Sequence, residues 1–379
     1  MRFHVLGVAH TVTNTEYLSC AYTQKVMKFC QMMEGRGHTI FHYGHEDSNP
    51  PCDEHITVVT NEDFEIAYGS YDWKKEFFKF SSSDHVAKTY VKNTIKEINK
   101  RKSKYDFVLP FFSGGAHTEV CLALSDCIVV EPGLGFPYSF AKYSVYESYA
   151  LMHHHYDRAA MTKCQTNWYK TVIPNYFDLS QFEFKDKEDK EDYFLYLGRV
   201  YEGKGVHIAI QATKKAGVNL KIAGQGGILK EMSHMYKEVP DHVEEVGFAD
   251  VETRKELMSK AKAVIMPSLY LEPFGGVQVE AMLSGTPVIS PDWGAFVEVN
   301  LHGITGYRCK TMGDFVEAIK SIDKIDNKKC RKWAEENYDM YRIVEMYEKY
   351  FQDVLNVESG DKGWYNDYSD LTCLEKYYP

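Results

Sequence analysis

The feature that most constrains the fold is an alternation of short apolar runs and amphipathic runs that stops at a block of charge and then starts again. The block is Gln181-Phe182-Glu183-Phe184-Lys185-Asp186-Lys187-Glu188-Asp189-Lys190-Glu191-Asp192. Such a charged run reads as a solvated connector. Before it, Phe3 to Val8 reads as a strand. Val26, Phe29, Cys30 and Met33 then recur at helical spacing, Gly35 and Gly37 break that helix, and Thr39-Ile40-Phe41 resumes as a strand. Phe107-Val108-Leu109 and Cys127 to Val130 are further buried-strand candidates. After the block the alternation restarts, with strands at Tyr193–Leu197, Leu220–Ala223 and Ala263–Met266 and helices at Val206–Lys215 and Thr253–Ala261. Strands that alternate with helices form parallel sheets covered on both faces. The expected fold is therefore α/β, with two Rossmann-like doubly wound domains facing across a cleft. The first would cover residues 1–175, joined by a C-terminal helix of about 350–379, and the second residues 190–345. Ligands belong in the crevice at the carboxyl ends of the strands.

Length and charge bound the function. A chain of 379 residues suits two domains. With 44 Lys+Arg against 54 Asp+Glu the net charge is −10, which argues against a protein that grips a nucleic-acid backbone with its whole surface. The nine cysteines are scattered and no two form a C-x-x-C pair, so free thiols in a reducing compartment are expected rather than a disulfide framework or a zinc ribbon. The apolar start, Met1 to Val8, is too short for a signal peptide, and no run of about 18 apolar residues is present to span a membrane. A cytoplasmic protein is the expectation.

The strongest chemical signal is Pro267-Ser268-Leu269-Tyr270-Leu271-Glu272-Pro273-Phe274-Gly275-Gly276-Val277-Gln278-Val279-Glu280. A strand ends, an acidic residue follows, two glycines open a helix, and a second acidic residue comes 280 − 272 = 8 positions on. Gly275 and Gly276 leave backbone N–H groups bare at a helix N-terminus, which suits phosphate or hydroxyl oxygens. Glu272 can accept hydrogen bonds from the vicinal hydroxyls of a sugar, and Glu280 can hold a ribose diol. A capped surface helix with two incidental glutamates is the alternative, but Gly-Gly at a helix start is energetically poor without a reason.

Leu197-Gly198-Arg199-Val200-Tyr201-Glu202-Gly203-Lys204-Gly205 also follows a strand directly. Arg199 is a bidentate phosphate reader and Lys204 a movable point charge, and a diphosphate leaving group calls for both. A merely solvated basic loop is the competing reading. Ile222-Ala223-Gly224-Gln225-Gly226-Gly227 approaches a dinucleotide fingerprint but fails it, since G-x-G-x-x-G needs glycine where Leu229 stands. The first strand, ending Gly7-Val8-Ala9-His10, lacks the fingerprint too, which disfavours a nicotinamide oxidoreductase.

Together, Gly198-Arg199, Lys204-Gly205, and Glu272 and Glu280 around Pro273-Phe274-Gly275 resemble the retaining nucleotide-sugar glycosyltransferases of the GT-B fold, in particular the large family four, over roughly Tyr193 to Tyr307. The resemblance implies a metal-independent enzyme with no cofactor. A nucleotide sugar would be the donor and a carbohydrate or lipid-linked molecule the acceptor, with a UDP-hexose favoured over GDP-mannose. It assigns the donor diphosphate to Arg199 and Lys204. The transferred sugar falls to Glu272 with the amides around Phe274, Gly275, Gly276 and Val277, and the ribose to Glu280. Gly198 and Gly224 line the same site, and Gly247-Phe248 look like the base-contacting loop. Ile173 to Asp178 resembles the hinge into the donor domain. An epimerase or phosphorylase on the same fold, or a non-catalytic nucleotide-sugar-binding protein, would use the same residues.

The N-terminal half departs from that pattern. Val12 to Tyr22 holds no glycine pair after the first strand. His117, in Phe112-Ser113-Gly114-Gly115-Ala116-His117, takes the position of the histidine that such enzymes place beside the donor sugar, although a structural histidine fits as well. His153-His154-His155 invites a metal, but only His153 and Asp157 could share a helix face, fewer than the ligands zinc needs. Finally, Trp73, Phe77, Phe78 and Phe80 interleave with Lys74, Lys75 and Lys79, and Lys88, Lys92, Lys96 and Lys100 form a helical stripe. A peripheral membrane contact and an ordinary solvated helix with inward aromatics both fit that pattern.

Overall fold

The computed structural model describes residues 1–17, 20–74, 76–136, 138–160, 169–360 and 364. Two parallel sheets organise the chain. The first joins β1 (Arg2–Leu6), β2 (Thr39–His45), β3 (Glu54–Val59), β4 (Phe107–Pro110), β5 (Ile128–Leu134), β6 (Tyr143–Tyr146) and β7 (Lys170–Val172) in the order β3-β2-β1-β4-β5-β6-β7. Its helices are α1 (Ala21–Met33), α2 (Asn61–Tyr68), α3 (His85–Arg101), α4 (Ala116–Ala123) and α5 (Tyr149–Ala160). The second sheet joins β8 (Phe194–Leu197), β9 (Leu220–Ala223), β10 (Val243–Gly247), β11 (Val264–Ile265), β12 (Val288–Pro291) and β13 (Gly306–Cys309) in the order β10-β9-β8-β11-β12-β13. Around it lie α6 (Val206–Ala216), α7 (Ile228–Glu231), α8 (Val251–Lys260), α9 (Gly276–Leu283), α10 (Phe296–Val299), α11 (Met312–Ser321) and α12 (Asn327–Tyr338), and α13 (Met340–Ser359) follows. Both sheets are doubly wound, as the alternation implied. Each reverses strand order beside its first strand, at β1/β4 and at β8/β11, and those switch points open the crevices that hold ligands.

Period-two burial explains the first sheet. Phe3 and Val5 on β1 pack with Phe29 of α1 and Phe107 of β4 on one face, while Leu6 joins Tyr43, Tyr90 and Val120 on the other. Residues buried on both faces read as near-continuous apolar runs, which is why these short strands were visible in the sequence. The second domain has one continuous core running from Phe194 on β8 to Tyr338 on α12. On α13, Met340, Ile343, Val344, Tyr347, Phe351 and Val354 form an apolar stripe that returns to the first domain's core. The chain therefore leaves the second domain between Tyr338 and Met340, earlier than the expected boundary at 345. The expected tail beyond 364 lies outside the described residues.

The charge block is not a free connector. Lys190 donates to the Ser259 carbonyl and Thr286 Oγ1, both at 2.7 Å, and the Glu191 N–H donates to the Lys260 carbonyl at 2.7 Å. Phe182 packs against the second domain's core, and Phe184 lies beside the Arg331 guanidinium. The crossing itself is made upstream, where Ile173 belongs to the first core and Phe177 to the second. There the Phe177 N–H donates to the Tyr338 carbonyl at 2.8 Å and its carbonyl accepts from the Met340 N–H at 3.0 Å. The outgoing and returning strands of the hinge are thus stitched together.

Candidate active site

The site assembles on loops that leave the carboxyl ends of β8, β9, β10 and β11. After β11 the chain runs through Ser268 and Glu272 to Gly275, whose φ of 74° is left-handed and turns the backbone into α9 with no side-chain cap. The N-terminus of α9 carries no side-chain cap, and the positive end of the helix dipole lies there. Beside it Lys204 Nζ lies 2.9 Å from Glu272 Oε2 and 3.2 Å from Oε1. Ser268 Oγ donates to Glu272 Oε2 at 3.1 Å, and Glu272 is only 7% exposed. The Tyr270 ring backs the Lys204 ammonium at 4.8 Å. Burial and the Glu272 carboxylate push the Tyr270 phenol well above its ordinary range, so it stays a neutral hydroxyl.

Arg199 is exposed and reaches into the same crevice. Its guanidinium lies 5.4 Å from the Tyr201 ring and 5.8 Å from the Phe77 ring, and no carboxylate among the described residues pairs with it. The loops of Gly198 and Gly224 pass in direct contact. A Cβ on Gly224, at φ 144°, would meet the Gly198 carbonyl oxygen at 2.0 Å. Close backbone approach is thus reason enough for glycine at 224. Glu280, one turn into α9 and buried, accepts from Arg254 Nη2 of α8. The Phe248 ring, beside Gly247 after β10, stands 5.9 Å from Trp73 of the first domain. Phe274 is buried in the second core, so only its backbone is offered to a ligand. Val277, at the start of α9, is half-buried.

The structure brings Arg199, Lys204, Glu272, Gly275 and Gly276 together and adds groups from the facing domain that carry no sequence motif. Lys25 Nζ lies 2.7 Å from Glu147 Oε2 and donates to the Gly133 carbonyl at 2.9 Å. Burial pushes the Glu147 carboxyl up against the pull of Lys25, and Glu272 across the cleft adds to the rise. Ser148 Oγ donates to the Pro273 carbonyl at 2.6 Å, which fixes the first domain directly against the Glu272 loop. Lys28 is buried, its Nζ lies 3.6 Å over the Phe177 ring, and it has no hydrogen-bond partner among the described residues. Burial lowers its pKa to about 7, opposed most by Glu280.

One expectation fails on geometry. His117 does not face the cleft. Its Nδ1 accepts the Phe112 N–H at 3.2 Å, its Nε2 lies 2.9 Å from the Gly7 carbonyl, and burial lowers its pKa to about 4. It is a neutral clamp between the loops after β4 and β1. The aromatic segment, which the sequence leaves open to membrane contact or to inward packing, packs on neighbouring groups while Phe77 and Phe80 stay exposed: Trp73 lies on Tyr17, Phe77 over Arg199, and Phe80 on His10 with centroids 4.5 Å apart. Lys75 lies outside the described residues. Lys88, Lys92, Lys96 and Lys100 form an exposed face of α3. His155 donates toward the Phe136 carbonyl and contacts the Tyr146 hydroxyl, while the Asp157 side chain lies outside the described residues. Among the described residues no cluster of three or more His, Cys, Asp or Glu could hold a metal ion, and no helix is long and apolar enough to cross a membrane.

Comparison with known proteins places the second domain. Residues 179–340 match the family model described as glycosyl transferases group 1. An uncharacterized glycosyltransferase of Methanocaldococcus jannaschii is 34% identical over 125 residues, 31% of this chain and 32% of that protein. The chain spans about a third to two fifths of the length of the curated relatives it matches first. The sucrose-phosphate synthase of Thermosynechococcus elongatus superposes with a TM-score of 0.70 at 15% identity, over 94% of this chain and 100% of that one. The Anabaena protein HepE, solved in complex with UDP-glucose, superposes with a TM-score of 0.66 at 16% identity, over 93% and 99%. The chain thus carries, in residues 179–340, a domain of the glycosyl transferases group 1 family within the two-domain GT-B fold.

Proposed function

We propose that the protein is a glycosyltransferase that moves a hexose from a nucleotide-diphosphate sugar to a carbohydrate or lipid-linked acceptor with retention of configuration. The observation that carries this reading is the pairing of Lys204 with Glu272 beside the bare N-terminus of α9, with Arg199 exposed in the same crevice. As the bond from sugar to diphosphate loosens, negative charge grows on the leaving phosphate. Arg199, Lys204 and the α9 amides stabilise that charge where it develops, and preorganised electrostatics of this kind supply most of the rate enhancement in many enzymes. Glu272, held in orientation by Lys204 and Ser268, accepts hydrogen bonds from the sugar hydroxyls and fixes the ring for attack on the leaving-group face. Glu280 takes the ribose diol, with Arg254 holding its carboxylate in place.

The first domain closes the site from above. Ser148, beside the Lys25–Glu147 pair, bonds the first domain to the Glu272 segment at Pro273, and that closure excludes the water that would otherwise serve as acceptor. A UDP-hexose is the favoured donor. The support is resemblance of motif and a neighbour of the same fold solved with UDP-glucose. Thermal-shift measurements against a panel of UDP- and GDP-sugars test the reading. A selective rise in melting temperature with one nucleotide sugar, retained with its free nucleoside diphosphate, is expected. No shift with any member of the panel would overturn it.

A further inference from the structure

The segment containing Trp73, Phe77 and Phe78 belongs to the first domain yet touches three loops of the second. Trp73 is anchored at home: its ring lies on Tyr17 with centroids 4.2 Å apart and planes at 24°, and runs parallel to Phe78 at 5.7 Å and 15°. From that anchor its edge meets Phe248, in the loop after β10, at 5.9 Å and 89°. Gln225, in the loop after β9, donates from Nε2 to the Trp73 carbonyl at 2.7 Å and to the Glu76 carbonyl at 3.3 Å. Phe77 then places its ring 5.8 Å from the guanidinium of Arg199, in the loop after β8.

The third contact carries the consequence. An arginine that reads a diphosphate does so through the N–H groups of its guanidinium fork. A ring resting on the same group holds it by a contact worth far less than a charge-assisted pair. We propose that these aromatics form a clasp across the cleft that a nucleoside diphosphate opens, by drawing Arg199 away from Phe77. The inference rests on the assignment of Arg199 to the diphosphate. The ring contacts the face of the guanidinium and a phosphate takes its N–H edge, so the two conflict through position. Phe77, with Tyr201 at 5.4 Å, holds the group where it now lies, a diphosphate draws it toward α9, and each weakens the other by the same factor. The affinity measured for the nucleotide is reduced by the fraction of molecules in which the clasp is closed. Loss of the Phe77 contact releases the loop, and Trp73 loses its edge contact with Phe248.

The test is calorimetric titration of UDP and of GDP into the wild-type chain, Phe77→Leu, Phe77→Tyr and Arg199→Ala. Tryptophan emission is followed in parallel in the wild type and in Trp73→Phe. Phe77 is 44% exposed, so its replacement leaves the fold alone. Phe77→Leu keeps an apolar side chain without the ring quadrupole and should bind the favoured nucleotide roughly two- to fivefold tighter, the range for an exposed cation–π contact. Phe77→Tyr should match the wild type. Saturating nucleotide should shift the wild-type emission, and the shift should vanish in Trp73→Phe. Equal or weaker binding by Phe77→Leu, or an emission shift that persists in Trp73→Phe, overturns the clasp. Unchanged binding by Arg199→Ala overturns the assignment beneath it, as does failure of the wild type to bind either nucleotide.

Discussion

The Lys204 ammonium and the Glu272 carboxylate meet at 2.9 Å across 68 residues of chain, in a contact where the lysine is one-fifth exposed and the glutamate nearly buried. The same lysine is thus asked to orient the residue that holds the sugar and to neutralise the phosphate that leaves it. Removing it should harm both. Lys204→Ala is expected to lose about 2–4 kcal/mol of transition-state stabilisation and about 1–3 kcal/mol of folding stability, because the nearly buried Glu272 carboxylate loses its ammonium partner. Arg199→Ala should lose comparable catalysis with almost no change in stability, since its exposed guanidinium lies beside the Phe77 and Tyr201 rings and pairs with no carboxylate among the described residues. Steady-state kinetics and urea unfolding on the two variants check this. Equal stability losses would contradict it.

The two glutamates should separate in binding. Glu280→Ala should weaken free nucleoside diphosphate and nucleotide sugar alike, because the ribose is common to both. Glu272→Ala should leave nucleoside diphosphate binding close to wild type and reduce turnover. Titration calorimetry that finds equal loss of nucleotide affinity in both variants would refute this division.

Lys28 is a buried ammonium over an aromatic ring at the hinge, with no hydrogen-bond partner among the described residues. Burying a charge without hydrogen bonds is costly, and an apolar side chain of similar shape avoids that cost. Its pKa of about 7 means that the folded chain releases a proton the unfolded chain keeps, so its penalty grows as pH falls from about 10.5 toward 7. Lys28→Met should therefore raise the melting temperature at pH 7, by a stability gain of about 1–3 kcal/mol. A lower melting temperature would show that the charge is compensated.

Acid should destabilise the fold through buried histidines. Burial lowers His42 to about 3 and His10 and His117 to about 4, each below the ordinary 6.5. The folded chain keeps these rings neutral where the unfolded chain protonates them. Their contribution is complete above about 6.5 and is lost as pH falls toward 4, at about 1.4 kcal/mol per pH unit for each histidine still neutral in the fold. Urea midpoints should drop steeply between pH 6.5 and 4.5. A midpoint constant over that interval would contradict the assigned burial.

The doubly wound architecture was legible because strands buried on both faces, such as Phe107–Pro110 and Phe194–Leu197, read as unbroken apolar runs. The second domain's site was legible for a related reason: Arg199, Lys204 and Glu272 lie in the segments that follow β8 and β11, and Glu280 lies one turn into the helix that the second of these opens. The facing half was not. Lys25 and Glu147 are 122 residues apart and meet only because β6 ends where α1 begins. The outgoing crossing falls inside the Ile173 to Asp178 segment read as the hinge, whereas the return near Tyr338 and Met340 left no mark in the sequence, because the bonds that stitch it to Phe177 are backbone bonds, which any residue can make. Alternating aromatics and lysines between 73 and 80 do not name their partners, because the groups they meet, the Tyr17 ring and the Arg199 side chain among them, are brought there only by the fold.

The most direct measurement is nucleoside diphosphate release from a panel of UDP-hexoses and GDP-mannose, with water or a mixed glycan pool as acceptor and product anomers read by proton NMR. Expected is consumption of one donor by the wild-type chain with the donor's anomeric configuration kept in the product. Release should fall roughly 100- to 1,000-fold in Arg199→Ala and Lys204→Ala. A wild-type chain that consumes none of the donors, inverted product, or variants that release diphosphate at the wild-type rate would contradict the assignment of this crevice to glycosyl transfer.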